Sequence, residues 1–154
     1  GSGTREVFDN AILKDLPDLD VFIAGVGSGG TLSGVGKKIK EHSLDIQIVA
    51  VEPLTSAVLS GEKPGKHQIQ GLGAGFIPDI LDQSIIDKIM PISDNKAFEY
   101  GKLVAKKCGI LLGISTGANI AAAYEIAKNM EKGKKVLTVA SDTGEKYLSM
   151  NIYK

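Results

Sequence analysis

Three glycine-punctuated polar stretches hold most of this sequence's capacity for chemistry. The first, Gly25-Val26-Gly27-Ser28-Gly29-Gly30-Thr31, sets two hydroxyls among four glycines. The second, Gly113-Ile114-Ser115-Thr116-Gly117-Ala118, sets a serine and a threonine between two more. The third, Ser141-Asp142-Thr143-Gly144-Glu145-Lys146, is polar throughout. Glycine lets backbone approach a ligand closely or turn with positive φ. Amides left open at the start of a helix favour an anion, and the helix dipole adds to the effect. Hydroxyls beside them supply the extra donors that a terminal monophosphate rewards.

The first stretch carries three readings. It satisfies G-x-G-x-x-G between an apolar run and a helical pattern, and Glu52 ends the next run about 20 residues on. That is the arrangement a dinucleotide-binding fold asks for, with the acid on the ribose. The stretch also reads as a simple phosphate cup, or as a glycine-rich turn that binds nothing. Ser115 read plainly is a helix N-cap, and 141–146 a polar surface turn.

The elements that must position these loops alternate. Thr4–Leu13 has helical spacing, with Val7, Phe8, Ile12 and Leu13 on one face. Asp20–Ala24 is a short apolar run fit for a strand buried on both faces. Thr31–His42 reads as a helix with Leu32, Val35 and Ile39 inward, and Ile46–Val51 as a second buried strand ended by Glu52-Pro53. Together they make a βαβ unit. Ser56–Gly61 reads as a helical turn, 63–78 as irregular, and Ile85–Ile92 as a strand. A helix is expected over Asp94–Cys108, capped by Ser93 and stopped by Gly109. Ile110–Leu112 is strand-like, a long alanine-rich helix runs to about Glu131, and Lys135–Ala140 is a last buried strand. The order implies an α/β fold, three-layer αβα, with a mostly parallel sheet. In such sheets the loops at the carboxyl edge bind ligands, so Ser28, Thr31, Ser115 and Thr116 are expected to line one crevice.

Composition narrows the function. The chain has 154 residues, with 18 Lys plus Arg against 18 Asp plus Glu. A domain this size with no basic excess is a poor nucleic-acid binder. At 43% hydrophobic and 23% charged it is globular, and no apolar run reaches the ~20 residues of a membrane span. Nineteen glycines make up about 12% against a usual ~7%, and they cluster at 25–34, 71–75 and 113–117. The lone Cys108 leaves no disulfide framework and fits a reducing, cytoplasmic setting. Metal-ligand spacing is absent. Gly1-Ser2-Gly3 reads as a cloning remnant, no signal peptide is seen, and 4–154 reads as one domain.

Taken together, Val21 to Thr31, Val51-Glu52-Pro53, His67 to Pro78, Gly113 to Ala118 and Thr143 to Ser149 resemble, in order, stretches of the cysteine synthase (O-acetylserine sulfhydrylase) family. Cystathionine β-synthase is a near relative. The resemblance implies the tryptophan-synthase-β-like fold and pyridoxal 5′-phosphate as cofactor. It places Gly27, Ser28, Gly29, Gly30 and Thr31 around the cofactor's phosphate and Ser115 on its pyridine nitrogen. Gly71, Gly73, Ala74 and Gly75 would line the substrate mouth. It further implies a β-replacement that loses the α-proton and acetate of O-acetylserine and adds sulfide to give cysteine. A cytoplasmic homodimer is implied, as is a possible partner in serine acetyltransferase. A hydroxyl does not force a proton onto the pyridine nitrogen as a carboxylate would, which favours expulsion of a β-leaving group over side reactions.

Two family features are missing: the S-x-K motif of the Schiff-base lysine and the T-S-G-N substrate loop. The resemblance therefore implies a carboxyl-terminal cofactor-binding domain, with the amino-terminal domain absent and no catalytic residue in this chain. Lys37, Lys38, Lys106 and Lys107 are expected on solvent faces. Such a half is expected to be inactive alone and to leave apolar surface bare. Ser141 and Lys146 stand where the family often has proline and arginine. A nicotinamide-dependent oxidoreductase domain and a non-catalytic binding module remain as alternatives. His67, His42, Cys108 and Tyr147 are expected to be structural or solvated.

Overall fold

The apolar run at 21–25 forms the centre of the molecule. In the computed structural model, which describes residues 18–150, Val21–Gly25 is strand β1. The helix expected over Thr4–Leu13 lies outside the described residues. Chain order continues with α1 (Gly30–His42), β2 (Gln47–Pro53), β3 (Lys88–Ile92), α2 (Asp94–Cys108), α3 (Ile114–Ala127) and β4 (Val136–Thr138). The sheet order is β3-β2-β1-β4 and every pairing is parallel, with Ile23 opposite Val49 and Thr138.

Strand side chains alternate between faces, and both faces are covered. Val21, Ile23, Val49 and Val51 pack with Ala97 of α2 and with Ile114, Ala118, Ala121 and Ala122 of α3. Phe22, Ala24, Ile48 and Ala50 pack with Leu32, Val35 and Ile39 of α1. This is the expected three-layer αβα arrangement. Each fully buried Phe or Ile here contributes about 1.5–3 kcal/mol, against about 0–1 kcal/mol for an exposed pair such as Lys135–Asp18. The core therefore holds the fold, and ion pairs trim it.

One polar cluster ties the amino edge of the sheet. Lys40 Nζ donates to Asp87 Oδ2 at 2.7 Å and to the Ile46 carbonyl at 2.9 Å, while the Ile48 amide donates to the same Asp87 oxygen at 2.7 Å. The end of α1 is thereby fastened to the starts of β2 and β3.

Several boundaries differ from the sequence reading. The second strand runs on through Glu52 and Pro53, because Pro53 sits at its end opposite Ile92. The third strand starts at Lys88; Gln83–Ile85 is a 3₁₀ turn capped by the Asp82 side chain. Ile110–Leu112 is no strand: only Leu112 pairs, in one antiparallel bridge with Thr143. The alanine-rich helix stops at Ala127, short of Glu131. The last strand has three half-buried residues, since among the described residues it is an edge strand with one partner. The helix over Asp94–Cys108 matches the expectation, with Ser93 accepting from the Lys96 amide and Gly109 closing at φ 68°.

Candidate functional site

Parallel strands deliver their loops to one edge, and here that edge gathers four segments. The first is the loop between β1 and α1. Gly29 is the N-cap of α1 at φ 87°, no side chain caps the helix, and its first turn has no acid. Ser28, Gly30 and Thr31 are exposed and Gly29 is buried. The open amides thus face outward with a hydroxyl on either side. Gly27 has no room for a side chain: a methyl there would run into the carbonyl oxygen of Gly71.

The second segment is 69–76. It hangs from the first through the Gly73 amide, which donates to the Val26 carbonyl at 3.1 Å. Gly71 and Gly73 take φ of 94° and 64°, the left-handed region that glycine tolerates. His67, half-buried, braces the segment from below. Its Nδ1 accepts from the Ile69 amide at 3.2 Å, which leaves Nε2 to donate to the Gly73 carbonyl at 2.9 Å. The structural reading of His67 thus holds, with its contact made to the mouth backbone.

The third segment is the start of α3. Gly113, not Ser115, is its N-cap, and again there is neither a side-chain cap nor an acid in the first turn. The plain N-cap reading of Ser115 is therefore corrected. Ser115 lies inside the first helical turn and is 5% exposed. Its Oγ stands 3.9 Å from where a Cβ on Gly71 would sit. One glycine, Gly71, is thus a near neighbour of both the β1–α1 loop and Ser115.

The fourth segment is the polar turn after β4. The Gly113 amide donates to the Asp142 carbonyl and the Gly144 amide to the Leu111 carbonyl, each at 3.1 Å. The Asp142 carboxylate packs on Gly113, where any side chain would collide with it, and the Tyr147 hydroxyl donates to it at 2.7 Å. This turn clamps the segment that delivers α3.

Sequence reasoning missed Asn119. It is 2% exposed, donates from Nδ2 to the Val139 carbonyl at 3.0 Å, and turns its Oδ1 toward Gly25. It links α3 to the ends of β1 and β4. A lone amide in an alanine-rich helix was the available signal. The Thr116 hydroxyl is buried without a hydrogen-bond partner. Glu52 does not face the crevice as a ribose acid would. Its carboxylate is 1% exposed and is taken up by the Leu59 and Ser60 amides and the Ser60 hydroxyl. The dinucleotide reading loses its acid on that geometry.

The expected lysines sit on outer surfaces: Lys37, Lys106 and Lys107 are exposed and Lys38 half-buried. Cys108 is free and exposed. Among the described residues, no cluster of metal ligands exists and no helix is long and apolar enough to cross a membrane.

The start of α1 suits an anion and the start of α3 a neutral acceptor. Open amides and hydroxyls at α1 fit a phosphate; a buried neutral hydroxyl at α3 fits a ring nitrogen. Comparison with known proteins shows the family. Residues 5–142 match the family described as "Pyridoxal-phosphate dependent enzyme". The sequence is 54% identical over 135 residues to a cysteine synthase of Staphylococcus aureus (strain Mu50 / ATCC 700699), covering 88% of this chain and 44% of that one. Among solved structures, O-acetyl serine sulfhydrylase isoform 3 from Entamoeba histolytica superimposes with a TM-score of 0.90 at 41% identity, covering 94% of this chain and 44% of that one. An O-acetylserine dependent cystathionine beta-synthase from Helicobacter pylori gives 0.85 at 41% identity, covering 93% of this chain and 47% of that one. The chain spans less than half the length of the relatives it matches.

Proposed function

The chain belongs to the pyridoxal-phosphate dependent enzymes, and on that premise we propose that it is the cofactor-holding, carboxyl-terminal part of a cysteine synthase that makes L-cysteine from O-acetyl-L-serine and sulfide. The observation that carries this reading is that Gly71 neighbours both the Gly27 loop and Ser115. Pyridoxal phosphate, when bound, supplies the electron sink that lets an amino acid lose its α-proton and then its β-substituent.

The chain's own residues then have distinct tasks. The amides of Gly27 to Thr31, with the Ser28 and Thr31 hydroxyls, hold the phosphate, and the α1 dipole favours its charge. Ser115 offers the ring nitrogen a hydroxyl and leaves it unprotonated, which weakens the sink enough to favour β-elimination over other outcomes. Gly71, Gly73, Ala74 and Gly75 form the mouth through which the amino acid enters. The Schiff-base lysine and the loop for the substrate carboxylate belong to a companion domain outside these residues. Leu103, Ile110, Leu111, Tyr124 and Leu148 are exposed apolar side chains, and part of that surface is read as the seat of the companion domain or of a second subunit in a homodimer. A serine acetyltransferase partner and a cytoplasmic site accompany this reading. The Helicobacter pylori relative favours one second reading, in which the same mouth admits a larger thiol and the product is cystathionine.

Ligand protection tests the proposal. The protein is heated with pyridoxal phosphate, with NAD, or alone. Pyridoxal phosphate at 100 times its dissociation constant is expected to stabilise it by about 2.7 kcal/mol. Stabilisation by NAD alone defeats the reading.

A further inference from the structure

Glu52 is the buried titratable group that the proposed chemistry leaves unused. Its carboxylate is 1% exposed, and among the described residues its partners carry no positive charge. It accepts from the Leu59 amide at 2.8 Å, the Ser60 amide at 3.0 Å and the Ser60 hydroxyl at 2.6 Å. A buried carboxylate is costly unless its oxygens are taken up. What it does here, and an apolar side chain would not, is gather three donors from two adjacent residues. The 3₁₀ turn Val58–Ser60 has no side-chain cap of its own; its backbone bonds, from the Ser60 amide to the Ala57 carbonyl and from the Gly61 amide to the Val58 carbonyl, shape it, and this gathering fastens it to the end of β2.

That turn stands directly behind the mouth. Val58, Leu59 and Glu52 enclose, with Val26, Gly27, Gly73, Ala74 and Phe76, a void of only about 10 Å³, which leaves room for at most one water. The turn, the phosphate loop and the mouth are therefore in near-continuous contact. The next residue of the strand completes the frame. A Cβ on Gly73 would lie 2.6 Å from Pro53 Cγ and 2.8 Å from His67 Nε2. Phe76, at 63% exposure, forms the outer lip.

We propose that Glu52 is a positioning residue for the substrate mouth: by pinning the 58–60 turn against Gly73, Ala74 and Phe76, it sets the width of the entrance without touching substrate or cofactor. The assignment of a mouth rests on the cysteine synthase reading; the pinning of the turn does not.

Amide hydrogen exchange in the intact, cofactor-free enzyme tests the pinning. In Glu52→Gln one amide hydrogen pair meets donors where an oxygen stood. Exchange over 72–76 is expected to quicken about tenfold, with 97–105 in α2 unchanged. In the cofactor-loaded enzyme, KM for the amino-acid substrate is expected to rise about tenfold, a loss of about 1.4 kcal/mol, with kcat little altered. Unchanged exchange at 72–76, or equal quickening at 97–105, overturns the proposal. So does a fall in kcat with KM intact. Where Glu52→Gln does not fold, Ser60→Ala removes one of the three bonds, and a smaller local change of the same pattern is the required result. A wild-type protein that makes no cysteine overturns the mouth assignment alone, and the exchange pattern still judges the pinning.

Discussion

Two helices begin at the carboxyl edge of this sheet, and they begin differently. Both α1 and α3 are capped by glycine, lack a side-chain cap and lack an acid in the first turn. Both therefore present open amides and the positive end of a dipole. At α1 the flanking Ser28, Gly30 and Thr31 are exposed; at α3, Ser115 and Thr116 are 5% and 1% exposed. An exposed end can take a charged group that keeps part of its hydration. A buried end charges heavily for any ion and suits a neutral acceptor. Under the proposed function, burial applied to the same local device would sort a phosphate to one helix and a ring nitrogen to the other.

The largest effect is expected from Gly27→Ala, which breaks the α1 end. The new methyl meets the Gly71 carbonyl, and overpacking of about 1–3 kcal/mol lowers pyridoxal phosphate affinity by about 10- to 100-fold in a fluorescence titration. Ser115→Asp attacks the other end. A carboxylate there draws a proton onto the ring nitrogen, and side products, measured against cysteine by chromatography, are expected to rise about tenfold. Unchanged partitioning removes the role given to Ser115. Tyr147→Phe sharpens the contrast more gently. It frees the Asp142 carboxylate packed on Gly113, costs about 1 kcal/mol in denaturant unfolding, and leaves phosphate affinity at α1 unchanged. Equal losses at both ends would dissolve the distinction.

The smallest effect lies at the opposite edge of the sheet. Burial pushes the Asp87 carboxyl up, but hydrogen bonds from Lys40 and the Ile48 amide outweigh it and hold the group below its usual range. A depressed folded value gives stability that is present above the ordinary carboxylate pKa of about 3.9 and is lost as pH falls through the folded value. Asp87→Asn is therefore expected to lower stability at pH 7 and to flatten the acid limb of the unfolding curve below about pH 4. An unaltered acid limb would show that the cluster carries no such linkage.

Much of this architecture is legible in the residues. Runs such as 20–24 and 46–51 are largely apolar on both faces, rich in β-branched residues and bounded by turn signals, and so read as covered strands. The Ser93 and Gly109 signals mark α2 at both ends because caps are local chemistry. The edges are harder. Ile110–Leu112 has the composition of a strand, yet it has no place in the ladder and is held by Thr143 and Gly144 instead. Glu52 illustrates the limit at the site. Its spacing from the glycine loop is that of a ribose acid, but where its side chain goes depends on a turn seven residues later. Asn119 and Asp142 act through tertiary contacts with Gly25, Val139 and Gly113, and no local pattern announces those.

The central claim is tested most directly by a crystal structure of the protein soaked with pyridoxal phosphate. The account predicts phosphate oxygens on the amides of Gly27 to Thr31 and the ring nitrogen about 2.8–3.2 Å from Ser115 Oγ. A cofactor ordered elsewhere, or one whose ring turns away from Ser115 with its phosphate off the α1 amides, would contradict it.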